Sequence, residues 1–229
     1  MPENAARRAV SRTEAEDVKA VYSGARPKTL TRMGSTLARE DKHPAFARRL
    51  PQTQAALAFA DERHAGQRRK ADDAPFVMHP IEVASLLHDA GYPDHVIAAG
   101  ALHDVIEDTD TEPGDIAKRF GSKIALLVTA VTENPSIKDD AERKTALRAQ
   151  VADAGEEAAA VFAADKISKA REVRLRGSRG ERFDRATRAK IEHYEATLDM
   201  LTDLMPDHRF VRQLREELEA VRALPASRA

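Results

Sequence analysis

Apolar residues along this chain recur at three- and four-residue spacing rather than in strict alternation, the pattern of helices that bury one face. Pro51 suits the first turn of a helix carrying Ala55, Ala56, Leu57, Phe59 and Ala60, which fades near His64-Ala65-Gly66. Residues 67–76 read as a polar loop containing Pro75. Pro80 leads into a helix over 81–90 that Gly91 ends as a C-cap residue. Pro93 and Asp94 open the next helix, with Val96, Ile97 and Leu102 as core positions, and periodicity continues it through Asp108. Two short helices follow around Gly121, over 113–120 and 123–132. A charged helix covers 139–152, and a segment over 156–174 carries Ala158, Val161, Phe162 and Ile167 at helical spacing. Helices over 184–205 and 207–224 complete the pattern. No stretch alternates as a strand does, and no internal repeat is found. The predicted class is all-α: a single helical bundle over residues 46–224. A flexible extension over 1–45, with one weak helix near 14–22, precedes it, and a tail over 225–229 follows.

Composition narrows the function. The 37 basic and 38 acidic residues nearly cancel, which gives no bulk attraction to nucleic acid or to an anionic membrane. Aromatic residues for stacking on bases are few. Cysteine is absent, so neither disulfides nor thiolate chemistry is available. Residues 1–17 are polar and charged and do not read as a signal peptide, and no apolar run reaches membrane-spanning length. The expectation is a cytoplasmic protein with a small-molecule partner, no membrane and no nucleic acid. Nothing in the sequence sets its oligomeric state. With tryptophan missing, the core must rest on Ala, Leu, Val and Ile, which suits closely packed helices.

The candidate chemistry lies in Leu102-His103-Asp104-Val105-Ile106-Glu107-Asp108. On a helix, His103 lies one turn below Glu107, and Asp104 one turn below Asp108. An imidazole beside a carboxylate is a pair that divalent metals favour, and further acids one turn away can orient or deprotonate water. One helix face cannot encircle an ion, so the remaining ligands must come from elsewhere. His79, just before Pro80, and Asp165, among the small and apolar residues of Ala163-Ala164-Asp165-Lys166, are the candidates. A carboxylate buried at 165 needs a cation or strong hydrogen bonds. Two His and two Asp suit Mn²⁺, Fe²⁺, Zn²⁺ or Ni²⁺ and disfavour an all-oxygen calcium cage. The other His-Asp pair, His88-Asp89, sits before Gly91 without downstream acids and reads as a surface or capping pair. His64 reads as a core or supporting histidine.

Five motifs occur in order: His64-Ala-Gly-Gln67, Arg69-Lys70, Met78-His-Pro80, Leu102-His-Asp-Val-Ile-Glu-Asp108 and Ala164-Asp-Lys166. Together they resemble the hydrolase domain of the RelA/SpoT family, a branch of the HD phosphohydrolases, over roughly residues 46–220. Without a recognisable synthetase region, the chain is most similar to the small stand-alone alarmone hydrolases of the metazoan SpoT type. The resemblance implies that His79, His103, Asp104 and Asp165 hold a metal, usually manganese, and that Glu107 and Asp108 are the catalytic acids. It implies substrate contacts for Arg69, Lys70, Lys190 and Tyr194, and removal of the 3′-pyrophosphate of (p)ppGpp. Residues 171–190 add eight Lys/Arg against three acids, an excess suited either to phosphate or to a solvated face.

One departure stands out. Where the family continues with an aromatic residue or His and then Asn, this chain has Ser168 and Lys169. Lys169, placed where the family's Asn approaches the nucleotide, leaves room for another phosphorylated nucleotide such as NADPH, or for a nucleotide-binding module without turnover.

Overall fold

The computed structural model describes residues 43–225. The chain divides into two units, Met1–Ala45 and Phe46–Ala229. Of the first only 43–45 are described, so the expected extension over 1–45 lies almost wholly outside the described residues, as do residues 226–229 of the tail. The second unit is all-α among its described residues. A 3₁₀ turn, Ala45–Arg49, enters it, followed by α1 (Pro51–Arg63), α2 (Met78–Asp89), α3 (Asp94–Leu102), α4 (Val105–Asp108) and α5 (Pro113–Phe120). Then come α6 (Ser122–Ala130), α7 (Asp140–Ala154), α8 (Glu156–Ser178), α9 (Arg185–Leu204) and α10 (Arg209–Ala223). The polar loop over 67–76 is pinned by one isolated antiparallel bridge, Arg68 to Pro75.

Local chemistry sets these boundaries. Pro51 and Pro113 occupy first turns, where a missing N–H costs nothing. The Asp139 carboxylate accepts from the Glu142 N–H at 2.8 Å, and that of Asp184 from the Thr187 N–H at 2.7 Å. Leu50 has no side chain to cap α1, and the cap comes from another helix. Asp94 accepts from the N–H groups of Gln52 and Thr53 at 3.0 and 2.9 Å and from the Thr53 hydroxyl at 2.7 Å. That single carboxylate docks α3 on the start of α1. Between α7 and α8 the chain reverses on Gly155, whose φ of 87° no L-residue adopts without strain.

Helix α8 forms the axis of the domain. Its residues 158–168 are buried without interruption, as expected of a helix apolar on all sides. Helices α2, α3, α6, α7, α9 and α10 all pack on it. Within that run Asp165, Lys166 and Ser168 are the polar exceptions. Sequence periodicity stops this helix at 174, and the structure carries it to Ser178. Gly177 permits the extension, because a Cβ there would come within 3 Å of Phe183 and Leu224. Sequence also runs α3 unbroken through Asp108. The structure instead breaks it at His103 and Asp104, where the backbone loosens into a turn (Asp104 φ −94°, ψ −6°) before α4.

Helices α2 and α3, which carry His79 and lead to His103, meet closely at Gly100. A Cβ added there would lie 2.3 Å from Leu87 Cδ1 and 3.3 Å from Val83 Cγ1, both on fully buried side chains of α2. The substitution Gly100→Val is expected to destabilise the domain by about 1–3 kcal/mol through overpacking. Urea denaturation followed by circular dichroism measures it, and a stability equal to wild type would show that α2 and α3 separate freely.

Candidate metal centre

Two helices and one turn meet at a buried polar cluster. α2 brings His79 on its second residue, the α3–α4 turn brings His103 and Asp104, and α8 brings Asp165. All four are almost completely buried. The two imidazole Nε2 atoms face each other at 3.0 Å. Asp165 Oδ1 lies 3.1 Å from His79 Nε2 and 3.3 Å from that of His103. Asp104 Oδ2 lies 3.3 and 3.0 Å from the same two nitrogens and has no hydrogen-bond partner. One donor atom each from His79, His103 and Asp165 lies within 4.8 Å of the others, a group of metal-holding dimensions.

The protonation pattern around the cluster explains its geometry. His103 Nδ1 donates to the Gly100 carbonyl at 2.8 Å, so its Nε2 is the free donor atom of the neutral ring. His79 Nδ1 donates to Ser168 Oγ at 2.9 Å, and the Ser168 hydroxyl in turn donates to Glu82 Oε2 at 2.8 Å. Both rings are therefore fixed in the tautomer that presents Nε2 to the centre, an arrangement typical of metal-ligating histidines. Two lone pairs and two carboxylates converging on one spot repel unless positive charge lies among them, and the donors present fit a divalent cation. In the metal-free state a proton does this work. Burial opposes charge on His103, but Asp104 and Asp165 outweigh it and push its pKa up to about 10. Against the penalty of burial, His103 and Lys169 hold Asp104 well below the usual carboxylate range, and Lys166 and Lys169 do the same for Asp165.

Beside the cluster lies a cavity lined by His103, Asp104, Glu107, Asp165, Lys166 and Lys169, among others. Glu107 reaches its solvent edge, anchored by the Glu133 N–H at 2.5 Å. Glu133 is itself held by Arg143 at 2.6 Å. Burial and the nearby Asp104 charge raise the Glu107 pKa, although the Glu133 N–H acts the other way. Burial and Asp104 also raise that of Asp108. The two acids are not equivalent. Asp108 is exposed and is absent from the cavity lining, while its carbonyl accepts from the Gln67 amide at 2.9 Å. Buried His64 pairs with Gln67 at 2.9 Å and supports that loop from below. His88 and Asp89 pair with each other on the surface, 3.3 Å apart, away from the cluster.

The remaining candidates fall into two groups. Lys169 contacts the cluster directly, with Nζ 2.9 Å from Asp165 Oδ1 and 3.4 Å from Asp104 Oδ1. Tyr194 is buried near Lys169, and burial raises its hydroxyl pKa. Lys190 is exposed and feels the charges of Lys70 and Lys169, which join burial in lowering its pKa. Arg69 is spoken for: it pairs with Glu172 at 3.0 Å, Asp72 at 3.3 Å and Glu82 at 4.0 Å. Much of the basic excess over 171–190 is likewise engaged. Arg171 pairs with Glu82 and Glu217, Arg174 with Glu217 and Arg176 with Glu181, and Arg179 donates to the Ala71 carbonyl. Sequence reasoning gave no role to Glu82, Glu133 or Lys166. Glu82 and Ser168 each lie three residues after a metal-ligand candidate, on the same helix face, and that spacing is the signal that points to them.

The chain is similar to known proteins. The HD domain family model matches residues 56–189, more than half of the chain. The guanosine-3′,5′-bis(diphosphate) 3′-pyrophosphohydrolase of Aquifex aeolicus is 42% identical over 90 residues, covering 39% of this chain and 13% of that protein. The human guanosine-3′,5′-bis(diphosphate) 3′-pyrophosphohydrolase MESH1 is 37% identical over 121 residues, covering 52% of this chain and 67% of the relative. A solved structure described as a metazoan ortholog of SpoT that hydrolyzes ppGpp superposes with a TM-score of 0.62 at 26% identity, over 73% of this chain and 94% of that one. The match thus spans a small part of the long bacterial relative and two thirds or more of the short metazoan ones. With an all-α bundle, a His-Asp pair at its centre and a matching family model, the chain belongs to the HD domain family.

Proposed function

We propose that this chain is a manganese-dependent phosphohydrolase that removes the 3′-pyrophosphate of guanosine tetraphosphate or pentaphosphate, giving GDP or GTP and pyrophosphate. The observation that carries the reading is the convergence of His79, His103, Asp104 and Asp165 beside a cavity that also presents Glu107. The guanosine-bis(diphosphate) hydrolases to which the chain is similar support the substrate. A divalent metal held there supplies Lewis acidity, making water a better nucleophile near neutral pH and offsetting charge on the phosphoryl oxygens.

The chain's own residues do the rest. Glu107 takes the proton of the attacking water. Its raised pKa brings it closer to working pH, where a general base is most effective, and the Glu133 N–H fixes one carboxylate oxygen while the other stays available. The water oxygen joins the phosphorus next to the ribose, the bond from that phosphorus to the 3′ oxygen breaks, and the 3′ oxygen leaves with the proton that Glu107 took from the water. Lys166 and Lys169, on the cavity wall, attract the anionic substrate. Lys70 and Lys190 extend positive charge outward, and Asp108 supports the Glu107 turn from its solvent side.

A second substrate reading keeps this chemistry and changes the nucleotide. It is favoured by the Lys169 ammonium, which stands against the ligand carboxylates. A nucleotide panel with Mn²⁺ tests both: pyrophosphate release from ppGpp supports the first reading, inorganic phosphate release from NADPH the second, and tight binding of either without turnover a binding module.

Two substitutions probe the roles. Glu107→Gln is expected to lower kcat by about 10²–10⁴ while leaving metal content intact. Its effect on stability has the opposite sign. The fold raises the pKa of Glu107, so the acid's contribution to stability is fully present below its unfolded pKa and is lost as pH rises through the folded value. At neutral pH the Gln substitution is therefore expected to hold or raise Tm, and the acid limb of the wild-type pH–rate profile is expected above the pKa of an unperturbed glutamate. A drop in Tm together with unchanged kcat would remove Glu107 from this role.

Ser168→Ala breaks the link that fixes the His79 ring and is expected to weaken Mn²⁺ affinity by about 10–100-fold with the fold unchanged. Calorimetric titration with Mn²⁺ measures this, and wild-type affinity would mean that the Glu82–Ser168 pair is structural only.

A further inference from the structure

Before any metal is considered, the two carboxylates of the centre already have ammonium partners, in addition to the proton on His103. Asp104 and Asp165 bring two negative charges, and Lys166 and Lys169 bring two positive ones. Lys166 covers Asp165 Oδ2 at 2.6 Å, the oxygen other than the one the two ligand-candidate imidazoles approach, and rests its ammonium 4.1 Å from the Phe162 ring centroid. Lys169 differs. Its ammonium is 2.9 Å from Asp165 Oδ1, the oxygen that both imidazole Nε2 atoms approach, and it reaches across to Asp104 on another segment. On Asp165 it therefore occupies the oxygen that the donor cluster shares, while on Asp104 it meets Oδ1 and the histidines approach Oδ2. Its side chain stays 31% exposed and borders the cavity, so it has somewhere else to go.

We propose that Lys169 is a built-in counter-ion to the metal centre, holding Asp104 and Asp165 when no metal is present and yielding them to a divalent cation, its ammonium then taking an oxygen of an anionic phosphate in the cavity. The inference rests on the divalent-metal reading of this cluster. Its consequence is a coupling. An ammonium on Asp165 Oδ1 and a dication drawn to that same oxygen repel each other, so metal binds weakly on its own. A phosphate that draws the ammonium away relieves the repulsion. Metal and phosphate each strengthen the other's binding by the same factor. Loading with metal is thereby tied to the presence of substrate, through a residue at the position where this chain departs from the motif it otherwise matches.

The test is a titration of the purified full chain with Mn²⁺, read by loss of the free-ion EPR signal, with and without inorganic phosphate and with a protein-free control for complexation. Without phosphate, Lys169→Met and Lys169→Asn are expected to bind Mn²⁺ about tenfold more tightly than wild type, and Lys169→Arg to stay near it. Phosphate is expected to tighten Mn²⁺ binding in wild type and Lys169→Arg more than in Lys169→Met. In the absence of metal, Lys169→Met leaves two buried carboxylates short of a partner, so its Tm is expected to fall and to recover with Mn²⁺. Mn²⁺ binding by Lys169→Met that equals or falls below that of wild type overturns the proposal while leaving the metal site standing, as does a Tm loss that Mn²⁺ does not restore. No Mn²⁺ binding by wild type or any variant overturns the metal reading itself and the proposal with it.

Discussion

Four donor atoms point at one another among almost completely buried side chains, and the fold has to supply positive charge at that point. Two buried carboxylates and two imidazoles with inward lone pairs are unstable company by themselves. The structure answers with a proton on His103, with Lys166 and Lys169 on α8, and with a geometry that a dication would complete. The architecture follows from keeping α2, the His103–Asp104 turn and α8 in register around that charge. Gly100 lets α2 and α3 approach, the alanine-rich run of α8 brings Asp165 into the centre, and Asp94 ties α3 to α1.

Outward from the centre, the charges are arranged in chains. His79 leans on Ser168, Ser168 on Glu82, Glu82 on Arg171, and Arg171 on Glu217, which also holds Arg174. This series links α2, α8 and α10, so the packing of the last helix is connected by hydrogen bonds to the orientation of a metal-ligand candidate. It also accounts for much of the basic excess that the sequence shows over 171–190. Several of those arginines neutralise acids on neighbouring helices, and positive charge offered to a ligand is concentrated instead in lysines along the cavity and its approach.

The fold was legible because periodicity is a local property. Among the described residues each helix expected from apolar spacing is present, one of them broken at His103–Asp104, with ends shifted where tertiary contacts decide, as Gly177 does by admitting Phe183 and Leu224. The four clustered residues were legible because His103-Asp104, His79-Pro80 and Asp165 stand out chemically against their apolar surroundings. What sequence could not give was direction. Arg69 reads as a ligand group in its motif, yet its guanidinium pairs with Glu172 and Asp72 across elements whose relative placement no local pattern encodes. Glu133 lies in a loop, and its backbone N–H holds Glu107 only because the turns after α3 and α6 meet. Lys166 was read as part of a motif and proves to be a buried partner of Asp165.

The break at His103–Asp104 is where local and global demands diverge most, and it makes the two acids unequal. In an unbroken helix neighbouring side chains point about 100° apart, and Glu107 and Asp108 would sit symmetrically one turn from His103 and Asp104. Loosening the backbone at Asp104 turns its carboxylate inward beside His103, while the Asp108 N–H still donates to the Asp104 carbonyl at 2.9 Å. On the short α4, Glu107 stands at the cavity edge against the Glu133 N–H, while Asp108 faces solvent with its carbonyl bound to Gln67. The same four-residue helix thus separates two adjacent carboxylates into one poised over the cluster and one that steadies the turn. That division of labour arises from one distorted peptide segment, which apolar periodicity alone smooths over.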